Sequence, residues 1–171
     1  MSYRNRFDRD GSSQQMGESA EDGFYKIAIS KNLKIQRATL KQQLSHIDFI
    51  LTDKSNKKCF LDVKACKKNS RSSNDVNEDV VWIEFKNVAG NAGWLYGVSD
   101  FIVFERESDF VITPKQPLIS LCERLVNKNI IVDKPQDALY NIYTRKNRKD
   151  QISLIKMTDI LNNIKTTIWE K

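Results

Sequence analysis

Two short apolar runs, each interrupted by one acidic residue, constrain the fold of this chain more than any other feature. They occupy residues 46–51 (HIDFIL) and 59–64 (CFLDVK), and the polar segment between them has the composition of a β-hairpin turn. Folding the chain back at this turn brings Asp48 beside Asp62. Because side chains alternate between the two faces of a strand, Lys64 shares a face with Asp62. The pattern therefore predicts two carboxylates and one ammonium at a single spot, a combination suited to a hard divalent cation and a phosphodiester.

An amphipathic helix is predicted ahead of this hairpin, over residues 13–31. Its apolar stripe consists of Ala20, Phe24, Ile27 and Ala28. At 100° per residue, Glu21 lies about 70° from the middle of the stripe, whereas Glu18 lies about 130° and Asp22 about 170° away, facing solvent. Glu21 is therefore the helix acid whose side chain is best placed to point toward the strands, and Glu18 is the alternative.

The set formed by Asp48, Asp62 and Lys64 with a helix acid upstream resembles the PD-(D/E)XK nuclease superfamily. The spacing Gly17-x-x-x-Glu21 resembles the helix of its Holliday-junction-resolvase-type members, and the chain as a whole resembles small nuclease-like proteins of tailed bacteriophages. The resemblance implies an α/β (α+β) fold with a restriction-endonuclease-like core, in which helices flank a central mixed β-sheet. It also implies Mg²⁺ or Mn²⁺ as the cofactor and hydrolysis of DNA phosphodiester bonds as the activity. Within this class, the resolvase-type members imply a structure-selective activity.

The same resemblance implies a role for each residue of the site. Glu21, Asp48, Asp62 and Lys64 would be catalytic. The metal ligands would be Asp48, Asp62, the backbone carbonyl of Val63, and Glu21 directly or through water. Lys64 would hold or polarise the attacking water. A second acid-x-Lys triplet, Glu84-Phe85-Lys86, lies in another strand-like run and is a rival site.

Basic residues near the proposed site favour a polyanionic partner. The chain has a formal net charge of +6. Lys67, Lys68 and Arg71 follow the second acidic run, and a second cluster comprises Arg145, Lys146, Arg148 and Lys149. Such cations bind backbone phosphates without reading sequence. DNA is the expected partner, RNA is a further option, and a homodimer is implied by the resemblance alone.

The remaining sequence patterns predict an α+β chain. Residues 1–12 are expected to form a flexible basic arm and residues 13–171 a single domain, which the resemblance implies is PD-(D/E)XK nuclease-like. Strands are predicted over 33–38, 45–52, 57–65, 79–86, 99–105, 109–112, 139–144 and 151–156, with further helices over 114–128 and 158–169. The segment 86–98 is too rich in glycine and asparagine to form a core helix.

Localisation follows from two simpler observations. No apolar run is long enough to cross a membrane. The three cysteines, Cys59, Cys66 and Cys122, are scattered without a CxxC pair, which favours reduced thiols and a cytoplasmic protein, in the host cytoplasm if it is viral.

Two other classes of function fit the same sequence. The first is a non-catalytic nucleic-acid-binding protein on the same fold, although retention of both acids and the lysine argues against it. The second is an interaction protein whose basic surface binds a protein partner.

Overall fold

The computed structural model describes residues 12–66 and 77–171, which form four α-helices, ten strands and two 3-10 helices. In chain order the helices and strands are α1 Ser12–Ser30, β1 Lys34–Arg37, α2 Leu40–Gln43, β2 Phe49–Thr52, β3 Lys58–Lys64, β4 Val80–Lys86, β5 Phe101–Glu105, β6 Asp109–Pro114, α3 Lys115–Leu125, β7 Asn127–Val132, β8 Asn141–Tyr143, β9 Gln151–Lys156, α4 Met157–Asn163 and β10 Thr167–Glu170. The 3-10 helices are Trp94–Tyr96 and Pro135–Asp137. The chain is thus a mixed α/β protein of the α+β type.

The described residues divide into two compact units. The first unit contains residues 12–66, 98–113 and 167–171, and the second contains residues 77–97 and 114–166. Each unit has its own mixed sheet, whereas the sequence predicted one central sheet. The single domain over residues 13–171 stays a prediction. The arm predicted over residues 1–12 lies outside the described residues except for Ser12, where α1 begins.

The sheet of the first unit has the strand order β1-β2-β3-β5-β6-β10. Strands β1, β2 and β3 are antiparallel neighbours, and β5 runs parallel to β3, with Asp62 opposite Ile102. The last strand of the chain, β10, pairs antiparallel with β6. The sheet is therefore mixed, and the strand that carries Asp62 is an interior strand.

Helix α1 covers one face of this sheet with its predicted apolar stripe. Phe24 is fully buried, and its ring lies 5.9 Å from Phe49, 5.4 Å from Phe110 and 5.2 Å from Trp169, measured between centroids. Leu61 and Val63 of β3 join the same core. Burying an aromatic side chain of this size stabilises the fold by about 1.5–3 kcal/mol, so this contact fixes α1 against β2.

The sheet of the second unit has the order β4-β9-β8-β7. Strands β4 and β9 are antiparallel with an irregular register between Glu84 and Lys86, and β7 is parallel to β8. Buried apolar residues include Ile83, Phe85, Leu95, Leu118, Ile142 and Ile155. The Gly- and Asn-rich segment forms turns and the 3-10 helix Trp94–Tyr96, in agreement with the prediction that it is not a core helix.

Two predicted helices are shorter in the structure because strands follow them. The helix predicted over 158–169 ends at Asn163, and β10 follows with Trp169 packed on Phe24. The helix predicted over 114–128 ends at Leu125, and β7 follows. Both strands are rich in β-branched residues, which favour extended backbone once a neighbouring strand is present.

Within residues 12–66 and 77–171, no helix has both the length and the apolar character needed to span a bilayer.

Candidate active site

The hairpin formed by β2 and β3 sets the position of both strand acids. Phe49, the first residue of β2, pairs with Leu61, so Asp48 and Asp62 both adjoin the last pair of the register. The Asp48 N–H donates to the Leu61 carbonyl at 2.8 Å, which ties Asp48 to β3 beside the last pair of the register. The predicted turn closes the hairpin, with the Asp53 N–H donating to the Lys57 carbonyl at 2.9 Å.

Three of the predicted site residues meet at this end of the hairpin. The Asp48 carboxylate accepts a hydrogen bond from the backbone N–H of Val63 at 2.7 Å. The Lys64 ammonium donates to Asp62 Oδ1 at 2.5 Å. Asp62 is only 1% exposed, and its other oxygen, Oδ2, has no hydrogen-bond partner. A buried carboxylate oxygen without a partner is costly, because it loses its hydration and gains nothing in return.

Electrostatic repulsion within the site appears in the pKa of Asp48. Burial, followed by the neighbouring Asp62 charge, raises this pKa from 3.8 to about 7, against the opposing effects of Lys64 and the Val63 N–H. The Asp48 and Asp62 carboxyl groups are close enough to share a hydrogen bond when Asp48 is protonated. Lys64 is the cation that opposes this repulsion at Asp48.

Glu21 on α1 belongs to the same electrostatic cluster. Burial raises its pKa to about 7, and the Asp48 charge is the next largest cause, while Arg37 and Lys64 oppose the shift. Its side chain is 21% exposed, whereas that of Asp22 is 60% exposed. The helix geometry predicted this order. Glu18, the alternative helix acid, is exposed and acts on Glu21 only as a further like charge.

The balance of charge favours a divalent cation. The charges that act on Glu21 are, in order of size, Asp48, Arg37, Glu18 and Lys64, and those that act on Asp48 are Asp62 and Lys64. With Asp22, which pairs with Arg37, five carboxyl groups thus share two cations. The unpartnered Asp62 Oδ2 supplies a free hard oxygen ligand among them. These residues fit a Mg²⁺ or Mn²⁺ ion, for which oxygen is the preferred ligand.

The described residues do not contain a ready-made cage for a metal ion. No three His, Cys, Asp or Glu side chains of residues 12–66 and 77–171 are already grouped as ligands around one point. Mg²⁺ usually binds one or two protein carboxylates and completes its shell with water and substrate phosphate. The Asp48–Asp62 pair matches the one or two carboxylates of such a shell.

Arg37 is a site residue that the sequence did not reveal. Its guanidinium contacts Glu21 Oε2 at 3.2 Å and also pairs with Asp22. It lies beside an open cleft of about 500 Å³ in the first unit. The cleft is lined by Glu18, Glu21, Asp22, Arg37, Ala38, Leu40 and Gln43. Arg37 ends β1, which pairs with β2 of the acid-bearing hairpin. Its position beside Glu21 follows from the register of β1 and β2, which the sequence alone does not give.

The rival triplet lies in the second unit and has a structural role there. Glu84 Oε1 accepts a hydrogen bond from the Trp94 N–H at 3.3 Å, at the start of the 3-10 helix. Gly93 packs so closely on this strand that its N–H donates to the Phe85 carbonyl at 2.9 Å. Glu84 therefore anchors a turn of the second unit.

The predicted phosphate-binding residues fall into two groups. Lys67, Lys68 and Arg71 lie outside the described residues. The second cluster lies in the second unit, in the loop between β8 and β9. Arg145 pairs with the fully buried Asp150, which fixes the base of this loop, and Lys146 and Lys149 are exposed beyond it.

Comparison of the chain with protein-family models, with curated proteins and with solved structures found no match.

Proposed function

We propose that this protein is a metal-dependent endonuclease of the PD-(D/E)XK type that hydrolyses DNA phosphodiester bonds. The observation that carries the proposal is the proximity of Asp48 and Asp62 at the open end of the β2–β3 hairpin, with Lys64 bonded to one Asp62 oxygen and the other oxygen left without a partner. Surface salt bridges between acids and lysines are common, but they do not bury an unpartnered carboxylate oxygen.

The order of elements in the first unit supports the restriction-endonuclease-like core that forms part of this proposal. A helix (α1) precedes three strands (β1 to β3), and a further strand (β5) lies parallel to the third. The superfamily core usually has a second helix between its third and fourth strands. In this chain the connection instead includes β4 and the 3-10 helix Trp94–Tyr96 of the second unit.

The proposed chemistry gives each residue a separate task. Asp48 and Asp62 would hold the ion, with Glu21 as a third carboxylate and the Val63 carbonyl as a backbone ligand. A bound Mg²⁺ or Mn²⁺ supplies Lewis acidity and a water of lowered pKa. Lys64 Nζ, already at Asp62 Oδ1, would orient the attacking water and neutralise charge that develops on the phosphate.

The proposed substrate rests on the basic residues of the chain and on its resemblance to resolvase-type nucleases. Lys67, Lys68, Arg71 and the loop with Arg145, Lys146, Arg148 and Lys149 would bind backbone phosphates. A structure-selective, resolvase-like activity is the best fit within this class, because the spacing of Gly17 and Glu21 resembles that in the helix of resolvase-type members. We further propose that two copies act together on two strands, in the cytoplasm of the cell or of a viral host.

The direct test is metal-dependent cleavage by the protein and by two matched pairs of variants. Supercoiled plasmid and branched, duplex and single-stranded DNA are incubated with Mg²⁺ or Mn²⁺. We expect Asp62→Asn and Lys64→Met to reduce cleavage by at least about a hundredfold, because each removes a charge at the reacting phosphate while preserving side-chain size. Asp53→Asn, in the turn of the same hairpin, and Glu84→Gln, in the rival triplet, should cleave like the unmodified protein.

The outcomes separate the alternatives. DNA binding without nicking under any metal condition supports a non-catalytic binding protein. Full activity in Asp62→Asn contradicts the assignment, and loss of activity in Glu84→Gln alone moves the site to the second unit. Failure to bind DNA at low salt favours a protein partner for the basic surface.

A further inference from the structure

We infer that Arg37 is a positioning residue that holds Glu21 toward the Asp48–Asp62 pair. This inference rests on the proposed nuclease function, and it concerns a residue that the superfamily resemblance does not assign. Its basis is a set of contacts within the first unit that join one guanidinium to the helix acid and to the hairpin.

The guanidinium of Arg37 spans two consecutive acids on α1. Nη1 lies 3.2 Å from Glu21 Oε2, and Nη2 pairs with Asp22 Oδ1. A planar guanidinium can grip two carboxylates in a fixed geometry, which a lysine ammonium cannot do. The Asp22 side chain is exposed and that of Glu21 is mostly buried. By contacting both, the Arg37 guanidinium restrains the turn of α1 that carries Glu21.

Aromatic rings hold the guanidinium in place. Its central carbon lies 5.5 Å from the ring centroid of Tyr25 and 5.2 Å from that of Phe49, within the range of cation–π contacts. Phe49 is fully buried in the core, and the two rings lie 6.0 Å apart and nearly parallel. Arg37 is therefore less free to rotate than an arginine held by surface ion pairs alone.

The backbone of Arg37 is tied to the hairpin that carries Asp48. Arg37 pairs with Phe49 in the register of β1 and β2, and the next residue, Ala38, donates its N–H to the Asp48 carbonyl at 2.8 Å. One residue thus fixes the acid of the helix relative to an acid of the strands. Partners that orient metal ligands in this way typically change metal affinity by 10- to 100-fold when they are removed.

A double-mutant cycle with Mn²⁺ as the probe tests this role. Binding of Mn²⁺ is measured by the electron paramagnetic resonance of the free ion for the unmodified chain, Arg37→Met, Glu21→Gln and the double variant. We expect each single variant to bind Mn²⁺ about tenfold more weakly, and the double variant to lose little beyond Glu21→Gln alone, because Arg37 acts through Glu21. Arg37→Lys should recover only part of the affinity, and Asp22→Asn should retain most of it.

Other roles for Arg37 give different results. A direct contact with DNA phosphate raises KM in Arg37→Met and leaves Mn²⁺ affinity unchanged, and a purely structural role lowers thermal stability with additive effects in the cycle. Either result overturns the inference.

If Arg37→Met does not fold, Arg37→Lys is used in the same cycle. A wild-type chain that neither binds Mn²⁺ nor nicks DNA refutes the proposed function as well, whereas normal wild-type binding with an unaffected Arg37 variant refutes the positioning role alone.

Discussion

Replacing Asp48 with asparagine should stabilise the metal-free protein at neutral and alkaline pH. Burial and the Asp62 charge raise the pKa of Asp48 from 3.8 to about 7. Each pKa unit corresponds to about 1.4 kcal/mol, so keeping this carboxylate ionised in the folded state costs about 4 kcal/mol. Asparagine removes the charge and keeps an oxygen that can accept the Val63 N–H.

The pH dependence of this effect has a definite sign. Between about pH 4 and pH 7 the folded state keeps a proton on Asp48 that the unfolded chain has released. The folding stability contributed by this group is therefore fully present below pH 4 and is lost as the pH rises through 7. The advantage of Asp48→Asn should grow by about 3 kcal/mol between pH 5 and pH 8.

Urea unfolding in the presence of EDTA, at pH 5 and pH 8, measures both quantities. Added Mg²⁺ should stabilise the unmodified protein, by about 2.7 kcal/mol at a hundredfold excess over Kd, and should have a much smaller effect on the variant. The reasoning is wrong if the variant is no more stable than the unmodified protein at pH 8, or if the difference between them is the same at both pH values.

Three further substitutions test the packing of the two units by thermal and urea unfolding. Phe24→Ala should destabilise the protein by about 3–5 kcal/mol, since Phe24 is fully buried among aromatic rings, and a loss below about 1 kcal/mol contradicts that packing. Gly93→Ala should destabilise by about 1–3 kcal/mol, because the added Cβ would lie 2.2 Å from the Glu84 carbonyl oxygen, and an unchanged midpoint contradicts this close approach. Gly17→Ala is the matched control: no atom lies within 4 Å of its added Cβ, and we expect a gain of about 0.5–1 kcal/mol from helix propensity.

The sequence predicted the first unit well wherever a local pattern carried the information. The period of α1 placed Phe24 inward and Glu21 on the flank, and the turn chemistry after Thr52 fixed the hairpin. These features depend on side-chain alternation and on residues close together in the chain, which a single sequence contains.

The features that the sequence missed depend on partners far away in the chain. The strand β10 has an apolar pattern that also fits a helix, and its pairing with β6, more than fifty residues earlier, decides the outcome. The helix predicted over 114–128 overlapped only the first two residues of β7, and no strand was predicted over its isoleucine-rich remainder, which pairs with β8. The division into two units likewise arises from contacts between segments that are distant in sequence.

The position of the acid pair is a consequence of the core. Phe49 and Leu61 lie opposite each other, and both are buried in one core with α1, so this pairing holds the adjoining residues Asp48 and Asp62 close to each other. A slip of one residue would bring an acid into the core in place of Phe49 or Leu61. The hydrophobic packing thus holds two carboxylates together despite their repulsion, and a cation bound between them would recover part of the free energy that this arrangement costs.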